Sequence, residues 1–182
     1  MKKIPALLLA AVMLCGCKAG TFPLEKYSAE MPEIVFVCET NYCRDNDEDE
    51  AAYLMTLWDK NGSYYRTDYA PFCTLPFDRL IEEFSSGDEH FTKLPQTCEI
   101  SELKEQYKTI CALAKKDDFA LDYPEMLPDV EAATTSWYGL CYIDGGLCSV
   151  MFRQNTQMTD IGANNKIANE LYEWYRNAVK AE

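Results

Sequence analysis

The sequence predicts an α+β fold: a small antiparallel sheet built from two hairpins plus an N-terminal strand, packed against about three helices. Three observations carry that prediction. Two turn dipeptides, Asn61-Gly62 and Asp144-Gly145, stand between β-branched and aromatic runs. Such pairs favour tight hairpins, because both turn residues must adopt positive φ. Apolar residues recur at the helical spacing of three and four in three other stretches. The signals run strand, hairpin, two helices, hairpin, helix, and this segregation favours α+β over a doubly wound sheet.

Each element has its own justification. Residues 33–39, EIVFVCE, form a β-branched and aromatic run that reads as a strand. Residues 52–68, AYLMTLWDKNGSYYRTD, form the first hairpin. A type I′ turn at Asn61-Gly62 would set Trp58 opposite Tyr65 and Asp59 opposite Tyr64, with aromatic cross-strand pairing as the gain. Phe77, Leu80, Ile81 and Phe84 mark a helix that Gly87 stops. Ser101 can cap a second helix, with Leu103, Tyr107, Ile110, Cys111 and Ala114 on its apolar face. Residues 117–133 are acidic, contain Pro124 and Pro128, and read as irregular. The second hairpin is TTSWYGLCYIDGGLCSVMFR. An Asp144-Gly145 turn places Cys141 opposite Cys148, at a Cα separation of about 4.5–5.5 Å that a disulfide can span. A Gly145-Gly146 turn would break that register. A last helix near 164–180 carries the stripe Ile167, Leu171, Trp174, Tyr175, Ala178 and Val179.

Ahead of the fold stands an address. The chain begins MKKIPALLLAAVMLCGCKAG. Lys2 and Lys3 precede an uncharged run from residue 4 to residue 16. That run is shorter than the roughly twenty apolar residues a membrane-spanning helix needs, and it fits the core of a secretory signal peptide. Leu14-Cys15-Gly16-Cys17 resembles the lipobox of bacterial lipoproteins, with a large aliphatic residue three before the cysteine and a small one just before it. The resemblance implies cleavage after residue 16, a diacylglyceryl group on Cys17, and firm anchorage, since two or more acyl chains hold stably where one does not. It implies residence in the bacterial cell envelope on the extracytoplasmic side of a membrane. Lys18 leans towards the outer membrane if the cell has two. The expected organisation is a signal peptide at 1–16, a lipidated tether at 17–32 and one α+β domain at 33–182.

Charge and cysteine content narrow the function. The 182 residues are 48% hydrophobic and 26% charged, with a net charge of −13, as in a folded globular domain. Loss of Lys2 and Lys3 with the leader moves that charge to −15 on 166 residues. Such acidity argues against nucleic-acid partners, whose phosphates are met by Lys and Arg. Of nine cysteines, Cys15 would leave with the leader and Cys17 would carry lipid. Cys38, Cys43, Cys73, Cys98, Cys111, Cys141 and Cys148 remain, an odd set that cannot pair completely within one chain.

Catalytic and metal motifs are sparse. Counting an EF-hand from Asp45 puts Glu50 and Thr56 where Gly and Glu are required, so the acidic run 45–50 reads as a solvated loop. Cys38 and Cys43 lie at a zinc-compatible spacing, yet Cys141 and Cys148 are too far apart to make a second pair. No C-x-x-C occurs. His90, the single histidine, sits in the polar stretch GDEHFTKLP and reads as a surface residue. No catalytic residue, metal ligand or cofactor is assigned. Tyr53, Trp58, Tyr64, Tyr65 and Tyr69 crowd the first hairpin. Of these, Trp58, Tyr64 and Tyr65 are the candidate partner-binding aromatics, the alternative being core packing. The favoured expectation is a non-catalytic binding domain for an envelope protein or small ligand. An envelope hydrolase using carboxylates or a cysteine, and a purely structural envelope protein, are the alternatives.

Overall fold

A computed structural model describes residues 30–42, 52–115, 133–156 and 159–180. The leader, Cys17, the tether as far as residue 29, the acidic loop and most of the segment at 117–133 lie outside the described residues. The elements run β1 (Ile34–Tyr42), β2 (Ala52–Asp59), β3 (Ser63–Thr67), α1 (Phe77–Ser86), β4 (Thr92–Thr97), α2 (Ile100–Ala114), β5 (Thr134–Ile143), β6 (Gly146–Asn155), β7 (Asp160–Ile161) and α3 (Lys166–Lys180). The class is α+β. The strands form one antiparallel sheet in the order β4-β3-β2-β1-β5-β6-β7.

That sheet has seven strands and is larger than the two hairpins and N-terminal strand expected, because β4 and β7 extend it at either edge. β4, TKLPQT, carries polar residues and Pro95. A proline that cannot donate to a ladder is tolerated on an edge strand, where it also discourages further pairing. The same composition hides such a strand from a search for β-branched runs.

The sheet is sandwiched. In β1, at the centre, Ile34, Val35, Phe36 and Val37 are all completely buried, the pattern of a strand covered on both faces. One face packs Phe36, Trp58, Cys141, Val150 and Phe152 against α2 and α3. The other packs Val37, Met55, Leu57 and Leu140 against Leu80 and its neighbours on α1. Phe36 anchors the first layer, with ring centroids 5.0 Å from Trp174 and 6.0 Å from Phe152. At the sheet's far edge the buried Arg153 guanidinium is paired with Asp160, donates to Asn169 Oδ1 at 3.0 Å and lies 4.5 Å from the Tyr172 ring centre.

Helix ends follow their residues. Gly87 closes α1 at φ 80°, the left-handed geometry that glycine adopts most cheaply. The second helix starts at Ile100, with Glu99 at its N-cap, so Ser101 falls inside the first turn and does not cap it. Among the described residues, no helix is long and apolar enough to cross a membrane.

The hairpins settle register. Asp144 and Gly145 have φ of 50° and 82°, the geometry of a two-residue type I′ turn. Cys141 then lies opposite Cys148, as expected. The first hairpin differs by one residue: Trp58 pairs with Tyr64 and Leu57 with Tyr65. Gly62 has positive φ, at 73°, and Asn61 does not. The cause is Asp59, whose Oδ1 accepts from the backbone N–H of Asn61 at 3.0 Å and of Ser63 at 2.7 Å. That carboxylate stabilises a three-residue loop with only its last residue left-handed.

Candidate functional site

The one-residue difference decides which tyrosine reaches the helical layer. Side chains alternate across a strand, so a slip of one exchanges the faces. Tyr64 stays with Trp58 on the α2/α3 face, at a ring separation of 4.6 Å. Tyr65 turns to the other face and meets Phe84 edge-on at 5.0 Å. Trp58 is fully buried and Tyr64 is 5% exposed, so these two rings are core and make no exposed binding patch. Tyr65 is half-buried against α1. Of the three candidate aromatics, Trp58 is therefore core and Tyr65 packs on α1, while the nearly buried Tyr64 lines the wall of a pocket on the helical face.

A pocket opens beside Tyr64. Cys38 of β1, Thr56 of β2 and Trp137 of β5 lie on that same sheet face, and the last two turns of α3 roof them with Tyr175, Val179 and Arg176. The pocket is half-open, with a volume of about 300 Å³, at the lower end for small-molecule sites. Its walls are chiefly carbon, and its few polar groups converge. The Tyr175 hydroxyl lies 3.1 Å from Thr56 Oγ1 and 3.5 Å from the Tyr64 hydroxyl. Arg176 and Lys180 stand at the mouth, in the final turn and a half of α3, where cations favour a helix C-terminus. A wider concavity on the α1 face, bounded by Pro76, Phe77 and Leu147, has no such hydroxyl cluster among its lining residues.

The buried thiol and phenols of the pocket, Cys38, Tyr64 and Tyr175, stay neutral at pH 7. Burial pushes the Cys38 thiol up to about 12, although a hydrogen bond with Thr56 pulls the other way. Burial likewise raises Tyr64 and, well above the ordinary phenol range, Tyr175. A thiol held protonated is a weak nucleophile. The pocket therefore offers hydrogen bonds and apolar contact, without a ready base or nucleophile.

The remaining singled-out residues lie elsewhere. Cys141 and Cys148 face each other across β5 and β6 as free thiols. Cys141 is completely buried and Cys148 is partly open. Cys17 lies outside the described residues. His90 is at the surface. Its Nδ1 is 2.7 Å from Asp88 Oδ1, and its ring stacks on Tyr69 at 3.9 Å.

Sequence reading missed Thr56, Tyr175 and Arg176 as site residues. Their only local signal, one strand position and two neighbouring helix positions, is the same signal that core and surface residues of those elements give. Compared with family models, curated proteins and solved structures, the chain has no match.

Proposed function

We propose that the chain is a lipid-anchored protein of the bacterial cell envelope, held to a membrane through Cys17, whose α+β domain is a non-catalytic binding module. Its binding site is the pocket under α3, and its ligand is a small, mostly apolar molecule with an aromatic ring and one anionic group. One observation carries the reading: an apolar cavity of about 300 Å³ whose polar groups are neutral hydroxyls inside and cations at the mouth. Apolar walls supply affinity, and a few placed polar groups fix orientation. The neutral Cys38 favours binding over a hydrolase that would use this cysteine as its nucleophile.

The test uses 1-anilinonaphthalene-8-sulfonate, an aromatic anion that fluoresces in apolar surroundings. The folded protein should bind one equivalent saturably. Val179→Trp, which fills the cavity from α3, should abolish that binding while the circular dichroism stays native. Arg176→Gln should weaken it about tenfold. Unchanged binding in both variants refutes the site. The anchor has a separate readout: Cys17→Ser should move the protein from the membrane fraction to the soluble one, and an unchanged distribution rejects the anchor alone.

A further inference from the structure

A second constellation lies on the same helical face, towards the turn of the β5–β6 hairpin. Gly139 of β5 leaves room for α2: an added Cβ there would stand 2.5 Å from the Ile110 side chain. This close approach brings the next residue of the helix, Cys111, onto Cys141, two positions along the strand and on the same face. Both are nearly or fully buried in one cluster, with Cys148 packed against it. Cys141 thus touches Cys111, 30 positions before it, and faces Cys148, 7 positions after it, across the strands.

We infer that Cys148, Cys141 and Cys111 form a thiol–disulfide exchange centre that takes a low-molecular-weight dialkyl disulfide as its co-substrate. The roles follow from access and hydrogen bonding. Cys148 is the one member open to solvent, so it meets the reagent, and its partial cover favours a small one. The Cys148 thiolate attacks one sulfur of RS–SR, the S–S bond breaks, and RS⁻ leaves and takes a proton from water. A mixed disulfide, Cys148–S–S–R, results. Cys141 lies directly across the strands and resolves it. As its sulfur attacks that of Cys148, its proton passes to the Cys111 thiolate, and the second RS⁻ leaves and is protonated by solvent. Two protein thiols become one disulfide, and one RS–SR becomes two RSH.

The surroundings fit this division of labour. The hydrogen bond from Cys141 pulls the Cys111 thiol down, with help from Tyr107 on its own helix and from Lys115 at that helix's C-cap, against the cost of burial. The same bond, burial and the neighbouring Cys111 and Cys148 drive the Cys141 thiol up. Cys141 therefore keeps its proton until Cys111 can accept it, and Cys111 acts as a positioning residue and proton acceptor without being oxidised. Proton acceptors of this kind work best with a pKa near the operating pH.

The experiment treats the full reduced chain, in detergent, with oxidised glutathione, followed by peptide mapping and intact-mass kinetics. The expected product is a Cys141–Cys148 linkage with two glutathione thiols released per chain. Cys148→Ser should remove this linkage. Cys111→Ser should accumulate the Cys148–glutathione mixed disulfide at least tenfold over the parent. The parent itself should accumulate it increasingly as the pH falls and Cys111 takes up its proton. A mapped linkage that involves Cys111, or no linkage, overturns the proposal. So does a folded Cys111→Ser chain with unchanged mixed-disulfide level and pH profile. Should Cys111→Ser fail to fold, the linkage and pH profile of the parent decide on their own.

Discussion

The two hairpins carry nearly the same turn signal and close differently. Asp144-Gly145 makes the two-residue turn that its residues favour, and the register follows from it. Asn61-Gly62 makes a three-residue loop, because Asp59 just before it captures two backbone N–H groups. Gly62 is also tied to a neighbour that the other turn lacks: its carbonyl accepts from Cys98 N–H at 2.9 Å, at the end of the edge strand β4. A turn dipeptide sets register where nothing competes for its backbone. Where a carboxylate and a third strand compete, they set it, and every side chain of the following strand changes face.

The largest expected effect separates the two glycines. At Gly62, with φ 73°, an alanine Cβ would stand 2.1 Å from the Cys98 carbonyl oxygen, a backbone atom that cannot swing away. Left-handed strain and overpacking together should cost about 2–5 kcal/mol, towards the upper end. At Gly145, with φ 82°, nothing lies within 4 Å of an added Cβ. Gly145→Ala should lose only the left-handed preference, about 1–2 kcal/mol. Urea unfolding of both variants checks the ratio, and equal losses would remove the role given to β4.

Between these lies Asp59→Ala. It leaves the Ser63 N–H, a buried donor, without its acceptor, at a cost of about 2 kcal/mol. The register should nevertheless hold. A slip to the two-residue turn would carry Tyr64 out of the helical layer, and uncovering a large side chain costs about 1.5–3 kcal/mol. Nuclear Overhauser contacts between Trp58 and Tyr64 should therefore survive. Contacts between Trp58 and Tyr65 instead would show that the carboxylate alone sets the pairing.

The same contrast explains what could be read from residues alone. Local signals were reliable where one stretch decided its own structure: the Phe77–Phe84 period with Gly87, the Asp144 turn, the stripe of α3. They failed where a distant group intervened, as Asp59 and Cys98 do at Gly62, or where an edge position allowed a polar strand such as Thr92–Thr97. The pocket and the thiol cluster were illegible for one reason. Thr56 and Tyr175 meet across 119 positions, and Cys111 reaches Cys141 only because Gly139 lets a helix close on a strand. No spacing within a short window encodes either meeting.

The smallest effect is the sharpest discriminator, because its sign differs between the turns. Asp144 holds φ 50°, a region where asparagine is at least as comfortable as aspartate. Asp144→Asn also removes one negative charge from a chain at −13, easing self-repulsion. It should stabilise by a few tenths of a kcal/mol, read as a higher urea midpoint with unchanged slope. Asn61→Asp makes the reverse exchange in the other turn. Asn61 does not adopt positive φ, and its Nδ2 donates to Asp59 Oδ2 at 3.4 Å. A carboxylate there would face the Asp59 carboxylate, exchanging a hydrogen bond for like-charge repulsion, and should destabilise by about 0.5–1 kcal/mol. That loss should shrink as salt screens the pair. If both exchanges moved stability the same way, turn composition would outweigh the Asp59 carboxylate, and the contrast between the hairpins would rest on the Cys98 contact alone.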